Sequence, residues 1–419
     1  MSREMKYSGA PWIGEIPKGW NIDTIGNLYT LRTEKVSDKD YAPLSVTKMG
    51  IVPQLETAAK TDDGDNRKLV KVGDFAINSR SDRRGSCGIS AYDGSVSLIN
   101  LVLTPRGQMN PRFYNWLFHS ELFADEFYKW GHGIVDDLWT TRWQEMKRIT
   151  IVAPSLSEQQ KIAEFLDKKC SEVDEMIALQ EQIIEELKAY KQSVITEAVT
   201  KGLNPNVPMK DSGIEWIGEI PEHWEVKRLK YVSNISRGLF NHRPRNDERY
   251  YGGIHPFIQT GDVARSNKYI KSYSQTLSDL GISVSKLFPK GTLTMTIAAN
   301  VGDVSILGFN AYFPDSVLGI IPVSGVDNIF LYYALKAMKG EFVNAAILST
   351  QLNLNVERVY NIKAVMPPFS EQQQIASYLD IKCPEIDYLI ALKLAKIEEL
   401  KEYKKSIIYE YVTGKKEVV

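Results

Sequence analysis

One stretch of this chain is written twice, and the duplication limits the possible folds more than any other feature of the sequence. Residues 157–200 recur as residues 370–413, and 27 of the 44 positions are identical. The second copy begins 213 residues after the first, so a long segment separates them. A chain that repeats a long segment in this way is predicted to consist of two related halves.

Each copy of the repeated segment has a helical pattern. Ser157 and Ser370 are predicted N-cap residues, and the Glu and Gln that follow suit the positive end of the helix dipole. Cys170 and Cys383 occupy matching positions, and Pro384 follows the second as it would at a first helical position. We therefore predict, in each copy, a short helix, a break after the cysteine, and a long helix.

Apolar residues in the predicted long helices recur at spacings of three and seven, which indicates that the two helices pack against each other. A helix over residues 171–199 would be about 44 Å long at about 1.5 Å per residue. Tyr190 and Tyr403 are expected at the helix interface or on a partner-binding surface. The other residues expected to build this spacer are Ile177, Ile184 and Leu187 in the first copy and Ile390, Ile397 and Leu400 in the second.

A shorter signature precedes each half of the chain. The sequence from Trp12 to Pro17, WIGEIP, is closed by Trp20 and returns as Trp216 to Pro221, closed by Trp224. The blocks that follow, residues 21–150 and 225–363, share almost no continuous identity, and we call them the first and second variable blocks. We call the signature, from its first to its last tryptophan, the frame of that half. Two matching frames beside two unlike blocks predict one scaffold with two recognition surfaces. The predicted domains are recognition domains at 1–155 and 203–368 and helical spacers at 156–202 and 369–419.

Both variable blocks are predicted to mix strands with helices. Alternating apolar residues at 73–79 and 291–297 predict strands that enter turns, and residues 110–130 and 326–339 have helical patterns. Each block ends in a strand and a proline hinge. The predicted fold class is therefore α+β, with two recognition domains of mixed β-sheet and short helices joined by two long, coiled-coil-like helices that repeat within the chain.

Charge and cysteine usage narrow the class of function. The formal net charge is -1, but the second variable block carries six more basic than acidic residues, whereas both repeated helical segments are acidic. A basic block suits DNA or RNA, although a surplus of this size also occurs in proteins that bind neither. Three cysteines, no signal pattern and no long apolar run favour a cytoplasmic protein without membrane insertion.

In the first variable block, the side chains most able to bond a nucleic acid lie in a polar, glycine-closed turn. Arginine can bond guanine, and asparagine can bond adenine, through two parallel hydrogen bonds, although phosphate contacts are more frequent. The alternative is a solvated turn with an acidic neighbour. The candidates are Asn78, Ser79, Arg80, Arg83 and Arg84 in this turn and, with less support, Ser45, Thr47 and Lys48 on a preceding strand.

In the second variable block, candidates flank two predicted turns and occupy one polar run. The run places amides at alternate positions, which fits a reading strand or a polar edge. The candidates are Gln259, Thr260 and Arg265 at one turn, Thr296 and Asn300 at the other, and Gln351, Asn353 and Asn355 in the run. A basic loop, with Arg237, Arg243, Arg245 and Arg249, fits neutralisation of the DNA backbone or a disordered surface loop.

No residue is assigned a catalytic or metal-binding role. The segment Met366-Pro367-Pro368-Phe369 has the two prolines of a methyltransferase base-binding loop but lacks the polar first residue, so we interpret it as a hinge. No nucleotide-binding glycine loop or Cys/His metal spacing is present in the sequence. The tryptophans of both frames, which two different recognition surfaces share, are predicted to pack in the core.

The whole pattern resembles the specificity subunit of Type I restriction–modification systems. The matching signatures are WIGEIP with its following tryptophan, the proline before SEQQ-I-A-x-x-L-D, the Leu-Lys-x-Tyr-Lys near each helix end, and a strand-turn-strand in each block. They occur twice, in order, across essentially the whole chain.

The resemblance implies a non-catalytic, bacterial or archaeal DNA-recognition subunit. Each variable block would recognise one half of an asymmetric bipartite target. The two long helices would pair antiparallel, in a pseudo-two-fold arrangement, and bind two modification subunits. The chain itself would bind no cofactor; its partners would use S-adenosylmethionine for adenine methylation, and restriction subunits would add ATP- and Mg-dependent cleavage. The alternatives are a methylation-only system of the same kind and a coiled-coil scaffold that binds only protein.

Overall fold

The computed structural model describes residues 3–55, 64–133, 139–298, 300–348 and 352–418. It divides into two compact units, unit one with Met1–Glu181 and Leu394–Val419, and unit two with Gln182–Lys393. Each unit therefore contains one frame, one variable block and a part of each repeated helical segment. This division cuts both long helices and does not test the four predicted domain boundaries, which stay a prediction.

We call the part of each unit that its variable block forms the head of that unit. The head of unit one contains a four-stranded sheet in the order β10-β9-β12-β4 and a three-stranded sheet in the order β11-β8-β5. Its strands are β1 (Met5–Tyr7), β2 (Glu15–Pro17), β3 (Asn21–Thr24), β4 (Tyr29–Leu31), β5 (Lys35–Val36), β6 (Leu44–Thr47), β7 (Gly50–Pro53), β8 (Arg67–Val70), β9 (Phe75–Asn78), β10 (Cys87–Ile89), β11 (Gly94–Val96), β12 (Asn100–Pro105) and β13 (Thr150–Ala153). Its short helices are α1 (Ile25–Leu28), α2 (Pro111–His119), α3 (Glu121–Lys129) and α4 (Trp143–Met146).

The first repeated segment forms α5 (Leu156–Lys201), which begins in unit one and ends in unit two. The strands of unit two are β14 (Met209–Asp211), β15 (Glu219–Pro221), β16 (Glu225–Arg228), β17 (Ser233–Arg237), β18 (Tyr251–Phe257), β19 (Tyr269–Ile270), β20 (Gln275–Leu277), β21 (Leu287–Phe288), β22 (Leu293–Thr296), β23 (Val304–Leu307), β24 (Ala311–Tyr312), β25 (Val317–Pro322), β26 (Ile347–Leu348), β27 (Leu352–Asn353) and β28 (Lys363–Met366). Its helices are α6 (Leu229–Val232), α7 (Thr260–Arg265), α8 (Asp279–Ser283), α9 (Asn328–Ala337), α10 (Lys339–Ala345), α11 (Val356–Asn361) and the first part of α12 (Phe369–Val412).

The head of unit two has a different sheet plan. Its five-stranded sheet has the order β17-β25-β22-β23-β19, and its four-stranded sheet has the order β20-β18-β24-β21. Strands β18 and β24 pair in parallel, as do β19 and β23, whereas the named strands of unit one pair only antiparallel in the part of the chain described. The two heads both mix strands with helices but differ in sheet plan, whereas the frames that carry them match. The predicted α+β class with an internal repeat is therefore confirmed.

Matching strand pairs close both variable blocks at their base. In unit one, β3 pairs with β13, the strand before the hinge; in unit two, β16 pairs with β28 in the same antiparallel way. Each block thus begins with one strand of a pair and ends where the other strand begins, so its two ends lie side by side. This arrangement allows the block to change without altering the frame that carries it.

The two long helices run antiparallel where they meet in unit one. There, the rings of Phe165 and Tyr411 lie 4.3 Å apart, and Lys404 donates to Asp174 at 2.6 Å, so residue numbers rise along α5 as they fall along α12. In unit two, Lys191 donates to Asp387 at 2.7 Å. Apolar residues of both helices also join the core of each head.

Two helix predictions are wrong in detail. Each repeated segment forms one continuous helix, and Pro384 lies inside α12 rather than at a helix start. Proline removes the hydrogen bond to the carbonyl of Asp380, but both residues are exposed, so water can bond that carbonyl. Cys383 before the proline packs in the core of unit two, and Ile386 after it is also buried, so the helix is packed on both sides of the proline.

The predicted N-caps are also displaced. Ser157 and Ser370 lie inside the first turn, because α5 begins at Leu156 and α12 at Phe369. In the first copy Ser155 forms the cap: its hydroxyl accepts from the Glu158 amide at 3.3 Å and donates to the Glu158 carboxylate at 3.0 Å.

The helical region at 110–130 also divides into α2 and α3. Ser120 ends the first helix, and its hydroxyl accepts from the Phe123 amide to cap the second.

Candidate nucleic-acid interface

The arginine turn of unit one connects β9 to β10. Residues Ser81–Arg83 form one 3₁₀ turn, and Gly85 takes a φ of 75°, which only glycine adopts readily, to return the chain. The Arg83 guanidinium lies 3.6 Å from Asp82, and Arg84 forms an ion pair with Asp125. Both arginines are well exposed. The turn therefore presents cations at the surface, with part of their charge already balanced.

Asn78 and Ser79, by contrast, are bonded within the head. The Ser79 side chain is buried, and its hydroxyl donates to the Ile99 carbonyl. The Asn78 side chain accepts from the Arg80 amide at 3.1 Å, and its carbonyl accepts from the Tyr128 hydroxyl at 3.0 Å. Burial raises the pKa of Tyr128 far above its usual range, so the phenol stays a neutral donor. These residues shape the turn, and their DNA contact stays a prediction.

The strand with Ser45 and Thr47 belongs to a hairpin, β6 paired with β7. Thr47 lies opposite Gly50, so Lys48 and Met49 alone form the loop. The Thr47 hydroxyl donates to the Gly50 carbonyl at 2.9 Å and accepts from the Met49 amide at 3.1 Å. The Ser45 hydroxyl accepts from the Leu55 amide at 3.2 Å. Both hydroxyls thus help to hold the hairpin, and the two loop side chains are exposed.

The structure brings the two candidate groups of the first variable block onto neighbouring hairpins. Leu44 and Ile51 anchor β6 and β7 in a small core that includes Ala76 of β9. A Cβ placed on Gly88, in β10, would lie only 2.8 Å from the Cα of Gly50. The Lys48 loop therefore lies beside the strand that leaves the arginine turn.

In unit two, Gln259 and Arg265 are organised around a buried carboxylate. Asp262 accepts from the Gln259 amide at 2.9 Å and from the Arg265 guanidinium at 2.6 Å. The Gln259 side chain donates to the Gln275 side chain at 2.8 Å. Thr260 begins α7. Paired amides expose both donors and acceptors, the combination that the adenine N6 and N7 edge requires.

A cavity of about 610 Å³ opens beside this amide pair. Gln259 and Gln275 line it together with Arg245, Tyr251 and Phe257. It has room for the edge of a base or for a phosphate, with aromatic and cationic groups in its wall.

The basic loop folds back on the head through its own acidic neighbours. Arg245 donates to both carboxylate oxygens of Asp315, at 2.7 and 2.8 Å. The Arg249 guanidinium, and then His242, hold the pKa of Asp247 well below its usual range by hydrogen bonding. The other arginines bond carbonyls: Arg237 that of Asp315 at 3.0 Å, and Arg243 that of Phe240 at 2.9 Å.

The remaining candidates of the second variable block are dispersed. Thr296 is buried, and its hydroxyl donates to the carbonyl of Asn300, whose own side chain is exposed. Asn355 caps α11 by accepting from the Glu357 amide at 3.0 Å. Asn353 lies on β27, which pairs with β26, and Gln351 lies outside the described residues.

The spacer residues separate into an inner and an outer set. Tyr190 and Tyr403 face outward, with 58% and 46% of their surface exposed, which favours a partner surface over the helix interface. The inner set consists of Ile184 and Ile397, which are buried, and Ile177, Leu187, Ile390 and Leu400, which are half-buried.

Three polar residues of each repeated segment position the heads, and sequence reasoning missed them. Glu158 accepts from the Trp20 indole at 3.0 Å, as Glu371 does from Trp224. The buried Gln159 donates to the Pro154 carbonyl at 2.9 Å and accepts from the Asn110 amide at 2.8 Å; the repeat-related Gln372 does the same with Pro367 and Asp327. Their identity in both copies was the available signal.

The third pair of positioning residues is Asp167 and Asp380. Asp167 accepts from the Trp116 indole at 2.7 Å and from Arg112 at 2.8 Å. Asp380 accepts from the Tyr333 hydroxyl at 2.7 Å and from Lys268. Both carboxylates bind the head of their own unit to the helix beneath it.

The tryptophan prediction agrees with the structure, and Pro367 and Pro368 lie between β28 and α12, the position expected of a hinge. Trp20 and Trp224 are buried, and Trp12 and Trp216 are packed against the same cores. The hinge carbonyl of Pro367 accepts from Gln372. Among the described residues, no group of three or more His, Cys, Asp or Glu is placed to hold a metal ion, and no helix is long and apolar enough to cross a membrane.

Comparison with known families identifies the family to which both halves of the chain belong. The family model described as Type I restriction modification DNA specificity domain matches twice, at residues 17–189 and 221–402. The chain therefore belongs to this family, which confirms the resemblance found in the sequence.

Individual relatives span nearly the whole chain. The Type I restriction enzyme MjaVIII specificity subunit of Methanocaldococcus jannaschii is 26% identical and covers 96% of this chain and 93% of its own. A chain from a study of complex assembly and conformational transition of the type I R-M system has a TM-score of 0.74 at 16% identity, covering 95% and 98%. The HsdS subunit from Thermoanaerobacter tengcongensis has a TM-score of 0.54 at 17% identity over the same shares, so these structures support the fold.

Proposed function

We propose that this Type I specificity subunit recognises an asymmetric, bipartite DNA target, with one half-site for each variable block. The observation that carries the proposal is the repeated frame around two heads of different sheet plan. Matching frames cannot distinguish two DNA sequences, whereas unlike heads can. The exposed arginines of unit one and the amide pair of unit two supply groups that bond phosphates and base edges.

The paired helices serve as the spacer and as the docking surface for two modification subunits. Outward apolar side chains support this role: Ile381, Tyr388 and Leu392 are exposed on α12 at spacings of seven and four, which places them on one helix face. Tyr190 is also exposed in unit two, and Tyr403 is exposed on the part of α12 that lies in unit one. A helical partner would cover these side chains.

This chain binds DNA and the modification subunits, and its partner subunits catalyse the reactions on DNA. The modification subunits use S-adenosylmethionine to methylate adenine, and restriction subunits, where present, use ATP and Mg. No residue of this chain is assigned a catalytic role.

Reconstitution tests the proposal. The chain and its modification subunits are mixed and examined by native mass spectrometry, and methylation of duplex DNA is measured with labelled S-adenosylmethionine. We expect one copy of this chain with two modification subunits, and methyl transfer at one interrupted sequence only when both components are present. Methylation at the same sequence without this chain would contradict the proposal.

A salt titration separates DNA recognition from a protein-only scaffold. A DNA-binding subunit must lose affinity steeply as salt rises, because binding releases counterions from the phosphates. Absence of any gel shift on duplex DNA, with binding to modification subunits retained, would favour the scaffold.

A further inference from the structure

The tip of the β6–β7 hairpin carries an unusual side chain for a soluble surface. Met49 is 93% exposed, the highest fraction among the large apolar side chains of the described residues. The neighbouring Lys48 is also exposed. Methionine at this position packs against nothing within its own head, so folding alone does not account for it.

The hairpin is built to hold this tip in one geometry. Its loop has only two residues, and the Thr47 hydroxyl bonds both sides of it, to the Gly50 carbonyl and the Met49 amide. Below the tip, Leu44 and Ile51 are buried in the core of the head. Binding through Met49 would therefore order few additional residues, which favours affinity.

The surroundings of the tip select an anionic partner. Lys48 is beside Met49, and Gly50 lies against Gly88, in the strand that follows the turn with Arg83 and Arg84. A two-stranded β-ribbon fits the DNA major groove, where the thymine methyl is the apolar group on the base edges. Cations at its base would meet the phosphates on the groove walls.

We propose that the β6–β7 hairpin enters the major groove of one half-site and that Met49 packs against the methyl group of a thymine. This inference rests on the proposed function, because it assigns a specificity-determining residue to the first variable block. It makes Met49, rather than Ser45 or Thr47, the base-contacting residue of this hairpin.

The test combines a protein variant with a DNA variant. The recognised sequence is first obtained from the methylation pattern, and affinity of the full chain is then measured on that duplex and on duplexes with uracil in place of each thymine in turn. Met49→Ala should bind the natural duplex about five- to tenfold more weakly, as expected for loss of a buried side chain. At one position, uracil should weaken the wild type but leave Met49→Ala unchanged.

Val72→Ala is the matched control. Val72 is 65% exposed in the same head, in the turn that precedes β9, whereas the arginine turn follows β9. Its affinity should equal that of the wild type. Unchanged affinity of Met49→Ala, or equal effects of uracil on the wild type and on Met49→Ala at every position, would overturn the thymine contact. Absence of any sequence-specific binding by the wild type would instead overturn the proposed function.

Discussion

Side chains proposed to contact DNA differ in how much of their bonding capacity the fold already uses. Ser79 and Thr296 are buried and donate their hydroxyls to carbonyls, whereas Arg83 and Arg84 are exposed with acidic partners at the surface. Exposed ion pairs contribute little to stability, so their arginines can exchange a carboxylate for a phosphate at small cost. The arginine turn is therefore the stronger candidate.

We predict that Arg83→Ala combined with Arg84→Ala weakens binding to all duplexes. If each arginine contacts one phosphate, the slope of log affinity against log salt should become shallower by about one unit per contact. The control is Lys18→Ala with Lys161→Ala, which removes the same charge from the frame and the acidic helix. A salt slope equal to that of the wild type would place the DNA surface elsewhere on this head.

Residue roles were the part least accessible to sequence reasoning. Polarity marked Asn78, Ser79 and Thr296 as candidates, but only the fold shows that they bond neighbouring backbone groups. Met49 was overlooked because an apolar residue beside a strand is usually expected in the core. The frame tryptophans were predicted correctly, since repetition alone argued for a shared packing role.

At the scale of elements, the repeated helices hold the heads in place in addition to their proposed role as a spacer between them. Gln159 and Gln372 each connect the hinge carbonyl to the backbone of their own head, and each is buried. Loss of this side chain leaves two backbone groups without partners. The repeated SEQQ sequence is therefore explained by head placement, and not by helix formation alone.

We predict that Gln372→Ala lowers the free energy of unfolding by about 1–3 kcal/mol, because it leaves the carbonyl of the buried Pro367 and the amide of the half-buried Asp327 without their partner. The adjacent Gln373 is exposed, so Gln373→Ala should change the free energy of unfolding by less than about 0.5 kcal/mol. Urea unfolding of both variants provides the measurement. Equal stability of the two would show that the hinge bond contributes nothing.

The continuity of the two long helices was the feature of the elements that the sequence predicted wrongly. Pro384 and the matching positions of Cys170 and Cys383 suggested a break, but the helix continues because Asp380, whose carbonyl loses its bond, is exposed and buried residues lie on both sides of the proline. Ile184 and Ile397 are buried, as the periodicity predicts for the apolar face of each helix, whereas Tyr190 and Tyr403 of the same series are exposed.

At the scale of the whole molecule, the helices are proposed to set the distance between half-sites. We predict that seven residues inserted after Ile184, with seven inserted in the paired helix after Leu392, lengthen the spacer. The added two turns amount to about 10 Å, or about 3 base pairs at about 3.4 Å each. The methylated sequence of the variant reports the change, and an unchanged spacer would remove the helices from this role.

The central claim is that the two variable blocks recognise DNA independently on one duplicated frame. The pairing of β3 with β13 and of β16 with β28 brings the two ends of each block side by side, which suits exchange of a whole block. The most direct test replaces residues 21–150 with the corresponding block of a relative and sequences the methylome of a host that carries the chimera. We predict that one half-site changes while the other half-site and the spacer remain. A change in both half-sites would contradict the account.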